Sequence, residues 1–198
     1  MDKNTIIEKS KEKQNLIIPT DDCYNILSVG KLVNNHKGFD RLVRIHYQLQ
    51  KCGINNRLYI VGDGVDKLKL EEMITDDSVV LTGFVDNPFK YVKNADLFVC
   101  SSHREGYSTA VTEALILGVP VISTEVSGAK ELVNNGCGAV CANNEEALYN
   151  AIKQALTNKI LLAEYKQKAE QRSKQISPEY YIEMFDDLMS NYWKSDRG

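Results

Sequence analysis

Six short apolar runs, most of them followed by a stretch of helical periodicity, constrain this chain more than any other feature. They are YNILSVG (24–30), RLYIVG (57–62), SVVLTG (78–83), ADLFVCS (95–101), PVIST (120–124) and GAVCA (138–142). Each is nearly continuous in apolar residues, as strands buried on both faces are. Between the first two, FDRLVRIHYQLQKCG (39–53) repeats Leu42, Ile45, Leu49 and Cys52 at helical spacing and stops at Gly53. An amphipathic segment runs through Met73, and TAVTEALILG (109–118) has Ser108 as N-cap and Gly118 as stop. Further helices are expected from about Ser127 to Asn134, over 144–157 and 159–173, and from Ser177 to about Trp193. The alternation predicts an α/β fold: a doubly wound, six-stranded, mostly parallel Rossmann-like sheet with helices on both faces. Such sheets bind ligands at the carboxyl ends of their strands. The loops to inspect are therefore 30–38, 62–65, 83–88, 101–108 and 125–128.

A length of 198 residues fits one domain with appendages. Residues 1–24 are polar and close on Pro19-Thr20-Asp21-Asp22, which reads as a linker or N-terminal extension, with a short helix around Thr5–Gln14 as the alternative. The domain proper is expected over 25–175, and 176–198 form a C-terminal helix with a stripe of Tyr181, Phe185, Leu188 and Trp193. A net charge of −3 gives no general attraction to nucleic acid or anionic lipid. No stretch approaches the roughly 18 apolar residues of a membrane span, and the start lacks a signal-peptide core. Five cysteines, an odd number, suit reduced thiols in a cytoplasm. Cys137 and Cys141 would lie about 13 Å apart along a strand, too far to share a metal, and the histidines His36, His46 and His103 form no spaced cluster.

Chemistry can be sought in few places. GKLVNNHKG (30–38) matches neither GxGxxG nor GxxxxGK[ST], which removes the usual support for dinucleotide oxidoreductases and P-loop NTPases. It does place Lys31 and Lys37 on one loop above the sheet; the two read as a diphosphate clamp or as solvated surface lysines. Ser108 caps a helix whose first free amides, at Thr109 and Ala110, suit a phosphate. Glu105 and Glu113 would repel that phosphate. They are better placed to accept hydroxyl hydrogen bonds on either side of it, one from a ribose diol and one from a sugar, each about 1.5–3 kcal/mol. Otherwise they are ordinary surface carboxylates. Gly106 lets a ligand approach the backbone without a Cβ in the way. Gly62-Asp63-Gly64 is a tight turn or a backbone approach to a ligand, and Gly83-Phe84-Val85 offers an apolar wall to a base unless Phe84 is core. Glu131 reads as structural. Gly30-Lys31-Leu32 is not the acidic phosphoacceptor pocket of a response regulator.

The order of these motifs resembles the donor-binding, C-terminal half of GT-B retaining glycosyltransferases, the family called glycosyl transferases group 1. The residues that carry it are SVGKLVNNHKGFDRLV, YIVGDG, VVLTGFV, ADLFVCSSHREGYSTAVTEALILGVPVIST and SGAKELVNNGCGAV, in that order. Glu105 and Glu113 match the family's E-x7-E spacing. The resemblance implies that Lys37 holds the donor diphosphate, with Lys31 where the family usually has arginine, a point charge in place of a fork. It implies Glu113 on the ribose and Glu105 facing the donor sugar. Gly106, Tyr107, Ser108 and Thr109 would be the segment whose amides contact sugar and phosphate, with Tyr107 for the usual phenylalanine and Ser108 for a frequent glycine. Phe84 and Val85 would form the base-side loop.

The donor implied is a nucleotide diphosphate sugar, a UDP-sugar ahead of GDP- or ADP-sugars, with no prosthetic group and no metal. The acceptor, a carbohydrate or lipid-linked hydroxyl, would bind a Rossmann-like N-terminal domain for which 24 residues leave no room. Met1-Asp2 resembles the point just after the family's interdomain segment, so the chain is expected to be half of a larger enzyme, inactive alone. Its setting would be the cytoplasm, with the membrane's inner face reached through the other half. Alternatives are a non-catalytic nucleotide-sugar module and a GT-B-type epimerase or phosphorylase.

Overall fold

The computed structural model describes residues 2–13, 18–19, 22–133 and 135–176. Six strands form one parallel sheet: β1 (Tyr24–Val29), β2 (Asn56–Val61), β3 (Val79–Leu81), β4 (Leu97–Cys100), β5 (Val121–Thr124) and β6 (Gly138–Cys141). Their spatial order is β3-β2-β1-β4-β5-β6, and every pairing is parallel. This is the doubly wound sheet expected from the apolar runs. β1 and β2 run in register from Tyr24 opposite Asn56 to Val29 opposite Val61, and β4 enters beside them with Leu97 opposite Ile26.

Successive side chains go to opposite faces, and each face is its own core. One holds Ile26, Leu58, Ile60, Leu97, Val99 and Ile122 under Leu42, Ile45 and Leu49 of α3 (Phe39–Lys51) and Leu148 and Ile152 of α8 (Glu145–Thr157). The other holds Leu27, Tyr59, Val61, Phe98 and Val121 against Val111, Ala114 and Leu115 of α6 (Thr109–Ile116). Double-sided burial explains why the runs carry few polar residues. Ser28 on β1 is a buried exception, and its hydroxyl donates to the Val99 carbonyl at 2.7 Å.

Helix starts follow capping chemistry. The side chains of Ser108, Asn144 and Asn158 accept from the amides of Val111, Ala147 and Leu161 at 3.4, 2.8 and 3.0 Å, opening α6, α8 and α9 (Lys159–Gln175). Within the stretch read as a linker, α1 (Lys3–Ser10) is capped by Asp2 and buries Ile6 against Phe89 and Ile116. Two four-residue helices go beyond the expected set: α2 (Asn34–Lys37) lies in the loop 30–38, and α5 (Phe89–Val92) lies between the loop 83–88 and the run 95–101, where the pattern assigns no element. α4 (Lys67–Met73) and α7 (Ala129–Leu132) complete the set among the described residues. The expected helix from Ser177 to Trp193 and its aromatic stripe lie outside the described residues.

Candidate functional site

β1 and β4 are neighbours at the centre of the sheet, and the chain leaves them toward opposite sides. The crevice between their carboxyl ends is the switch point where such folds place a ligand. Its floor is tied down. Gly38 takes the left-handed conformation (φ +62) at the junction of α2 and α3, where a Cβ would overlap the Ser101 carbonyl and come within 2.8 Å of Arg41 Nε. Arg41, 2% exposed, donates from Nε to that carbonyl at 2.8 Å and from Nη2 to Asn143 Oδ1 at 3.0 Å. Asn143 Nδ2 in turn donates to the His103 carbonyl at 2.9 Å, and the Ser101 hydroxyl to the Lys37 carbonyl at 2.8 Å. The loop after β4 is thus locked to the α2–α3 corner.

That lock brings Lys37 and Glu105 together. Lys37 Nζ lies 2.5 Å from Glu105 Oε2, the oxygen to which the Ser102 hydroxyl also donates at 3.1 Å. The pair is largely shielded, with side chains 25% and 16% exposed. Beside it, a cavity of about 10 Å³ is lined by Ser28, Lys37, Ser102, Glu105, Ser108 and Ala110. Above this cavity α6 begins, and its first amides, Thr109 and Ala110 among them, have no partner within the helix.

A second, larger cavity of about 420 Å³ adjoins on the β2–β3 side and shares Val29 with the first. Lys31, Gly62, Asp63, Phe84, Val85 and Pro88 line it. Phe84 is 74% exposed, so it is a wall and not core. The loop carrying Lys31 is strapped to the turn after β2. Leu32 N–H donates to the Asp63 carbonyl at 2.9 Å, Asp66 N–H to the Leu32 carbonyl at 3.1 Å, and Asn34 N–H to Asp66 Oδ2 at 2.9 Å. Gly62 (φ +144) and Gly64 have no room for a Cβ because the Gly30 and Leu32 backbones fill it. The missing side chain at Gly62 therefore serves the protein's own packing, although the residue lines the cavity.

Lys31 and Lys37 do not converge on one cavity. Lys37 joins Glu105 at the switch point, and Lys31 lines the β2–β3 slot. Glu113, in the second turn of α6, lines neither cavity; burial raises its carboxyl above the ordinary range, and it makes no hydrogen bond or ion pair with a described residue. Gly106 is open, with nothing within 4 Å of the point a Cβ would occupy, and Tyr107 is 62% exposed with its ring edge over Gly128. Arg41, Asn143 and Asp66 support the site without having been singled out from the sequence. The one available signal was the spacing Gly62-x-Gly64-x-Asp66 directly after a strand. Among the described residues, no group of three or more His, Cys, Asp or Glu side chains is placed to hold a metal ion.

The six-stranded parallel sheet with helices on both faces matches the fold of solved GT-B glycosyltransferases. HepE from Anabaena, solved in complex with UDP, superposes with a TM-score of 0.71 at 22% identity over 86% of this chain and 49% of that one. TarM superposes at 0.70 and 24% identity, over 89% of this chain and 37% of that one. Residues 23–158 match the glycosyl transferases group 1 family, and the chain belongs to it. It is 33% identical to the N-acetylgalactosamine-N,N'-diacetylbacillosaminyl-diphospho-undecaprenol 4-alpha-N-acetylgalactosaminyltransferase of Campylobacter jejuni, over 75% of this chain and 42% of that enzyme. With the capsular polysaccharide biosynthesis glycosyltransferase CapM of Staphylococcus aureus it shares 32% over 65% of this chain and 34% of that one. The chain thus spans less than half the length of these relatives. No helix among the described residues is long and apolar enough to cross a membrane.

Proposed function

We propose that this chain is the donor-binding part of a retaining glycosyltransferase, which moves a sugar from a nucleotide diphosphate sugar, a UDP-sugar first, to an acceptor hydroxyl. The observation that carries the reading is the meeting of Lys37, Glu105 and the start of α6 at the switch point, beside an apolar slot of about 420 Å³. In this reading the base lies against Phe84 and Val85, near Gly62, and Glu113 accepts hydrogen bonds from the ribose diol. The diphosphate spans from Lys31 toward Lys37 and the amides of Thr109 and Ala110. The sugar faces Glu105 and the segment Gly106-Tyr107-Ser108.

The chemistry follows from charge. As the anomeric carbon–oxygen bond lengthens, its electron pair moves onto the departing phosphate oxygen and positive charge grows on the sugar ring. Lys31, Lys37 and the helix amides would stabilise that oxygen, an effect worth about 3–4 kcal/mol per donor in a dry site. Glu105 would stabilise the ring side. None of these steps needs a metal ion. The acceptor, a carbohydrate or lipid-linked hydroxyl as in polysaccharide assembly, would be held by a further part of the enzyme. That part would bring it to the membrane's cytoplasmic face, and this chain alone would bind donor without transferring sugar.

The test is titration calorimetry of the chain with UDP, GDP and ADP, with Glu113→Ala alongside. Binding of one nucleotide that the variant loses is expected. Equal binding by the variant removes Glu113 from the ribose site, and binding of none by the full-length enzyme ends the reading.

A further inference from the structure

The two cavities differ in a way that bears on how a donor enters. The slot lined by Phe84 and Val85 has about 420 Å³, room for a nucleobase and more. The switch point, where a diphosphate and sugar must go, has about 10 Å³, room for roughly one water. What closes it is the Lys37–Glu105 pair, whose members both line that cavity. The carboxylate is held from two sides on one oxygen, by Lys37 Nζ at 2.5 Å and by the Ser102 hydroxyl at 3.1 Å. Ser102 itself is buried, and its carbonyl accepts from Thr124 Oγ1 at 2.7 Å, so this side of the pair is fixed. The chain beyond Glu105 is freer: Gly106 is exposed with open space around it, and Tyr107 is exposed as well.

Resting on the proposed donor site, we infer that Glu105 is an internal stand-in for the donor's diphosphate: its carboxylate occupies Lys37 in the empty site and must release it before phosphate can bind. Both anions compete for one ammonium group. Glu105 neutralises the lysine while the site is empty, which avoids leaving a shielded cation without a counter-charge. The diphosphate brings more negative charge and takes the lysine over. Glu105 is then free to turn to the sugar, so the exchange couples arrival of the phosphate to presentation of the carboxylate. A nucleotide without a sugar takes Lys37 but offers Glu105 no hydroxyl in return. The contact therefore weakens bare nucleotide binding.

The exchange predicts opposite signs for one substitution. Glu105→Gln should tighten UDP binding at least about fivefold, the worth of a partly shielded ion pair that no longer competes. It should lower sugar transfer by the full-length enzyme. Calorimetry with UDP on wild type, Glu105→Gln, Lys37→Gln and the double variant isolates the coupling, with Glu105→Ala and thermal melts as the check on folding. Most of the gain should vanish in the Lys37→Gln background. A gain of the same size there would assign it to plain repulsion between Glu105 and phosphate and overturn the inference. Equal or weaker binding by both Glu105 variants, with wild type binding UDP, overturns it and leaves the donor site standing. No UDP binding by any form, full-length enzyme included, overturns the donor site as well.

Discussion

Replacing Gly62 by alanine should destabilise the domain far more than a single methyl group suggests. Gly62 follows β2 at φ +144, a conformation that L side chains rarely adopt, and a Cβ there would overlap the Gly30 carbonyl oxygen and sit 3.0 Å from its carbon. Neither partner can yield. Gly30 N–H donates to the Val61 carbonyl at 3.0 Å and Gly62 N–H to the Gly83 carbonyl at 3.0 Å, so a shift loosens the ends of three strands. Backbone strain of about 1–3 kcal/mol, overpacking of about 1–3 kcal/mol and a weakened hydrogen bond or two at about 1 kcal/mol each together imply about 3–8 kcal/mol. At about 2–4 °C per kcal/mol for a domain of this size, the melting midpoint should fall by about 6–32 °C. Gly53→Ala is the matched control. Its φ is +78, yet nothing lies within 4 Å of the added Cβ, so a loss of about 1 kcal/mol and a shift of about 2–4 °C are expected. Thermal melts followed by circular dichroism compare the two. A Gly62→Ala midpoint no lower than that of Gly53→Ala would refute the steric reasoning and leave Gly62 available for contact with a ligand.

Gly106→Ala should leave the melting midpoint unchanged or slightly raised, because its Cβ meets nothing, while weakening UDP-sugar binding about tenfold if ligand approaches there; unchanged titration would clear this position of a role. Lys37→Ala in the full-length enzyme should lower turnover at least about 100-fold, checked by initial rates at saturating donor. His46 is buried, with Nδ1 2.6 Å from Asn56 Oδ1 and Nε2 2.8 Å from Ser78 Oγ, and burial holds its pKa below the ordinary 6.5. The unfolded chain then takes up the proton first, so this stability is complete above about pH 6.5 and is lost as pH falls through the folded-state value. Midpoints measured against pH should show that acid slope in wild type and a flatter one in His46→Gln.

The strands were legible because burial on both faces leaves an unbroken apolar run. β1, β2, β5 and β6 end within a residue of the expected runs, and β3 and β4 are shorter by two residues at one end. α2 and α5 were not legible, since four residues carry no period, whereas the equally short α7 falls inside the helix expected from about Ser127 to Asn134. The left-handed turn at Gly38 closes the first, and Pro88 opens the second. The same turn explains why Lys31 and Lys37 part company. Leu32 is buried and strapped to the turn after β2, which holds Lys31 on that side. α2 meanwhile carries Lys37 across to Ser101. Sequence spacing placed both on one loop, but only the fold could say that the loop straddles two cavities. Arg41 was hidden for a related reason. A buried arginine on a helix face looks like an exposed one until the carbonyl it holds, 60 residues away, is in place.

Glu105 and Glu113 are eight positions apart, and the fold gives them unlike surroundings. Glu105 sits on the loop before α6 with an ammonium group and a hydroxyl on one oxygen, so its charge is compensated where it stands. Glu113 sits within the helix, where burial opposes its ionised form and no described side chain bonds to it. Partial burial of a carboxylate is a local cost, and such inconsistencies concentrate where a fold meets its ligand. The two residues therefore answer different needs. Among the described residues no side chain donates to Glu113, which leaves it open to the ribose diol proposed for it. Glu105 already has donors and gains by exchanging them, which suits a group that acts only once the diphosphate has arrived. In the proposed donor site the pair would not be a symmetric clamp: the glutamate in the helix would recognise the nucleotide, and the one in the loop would respond to it.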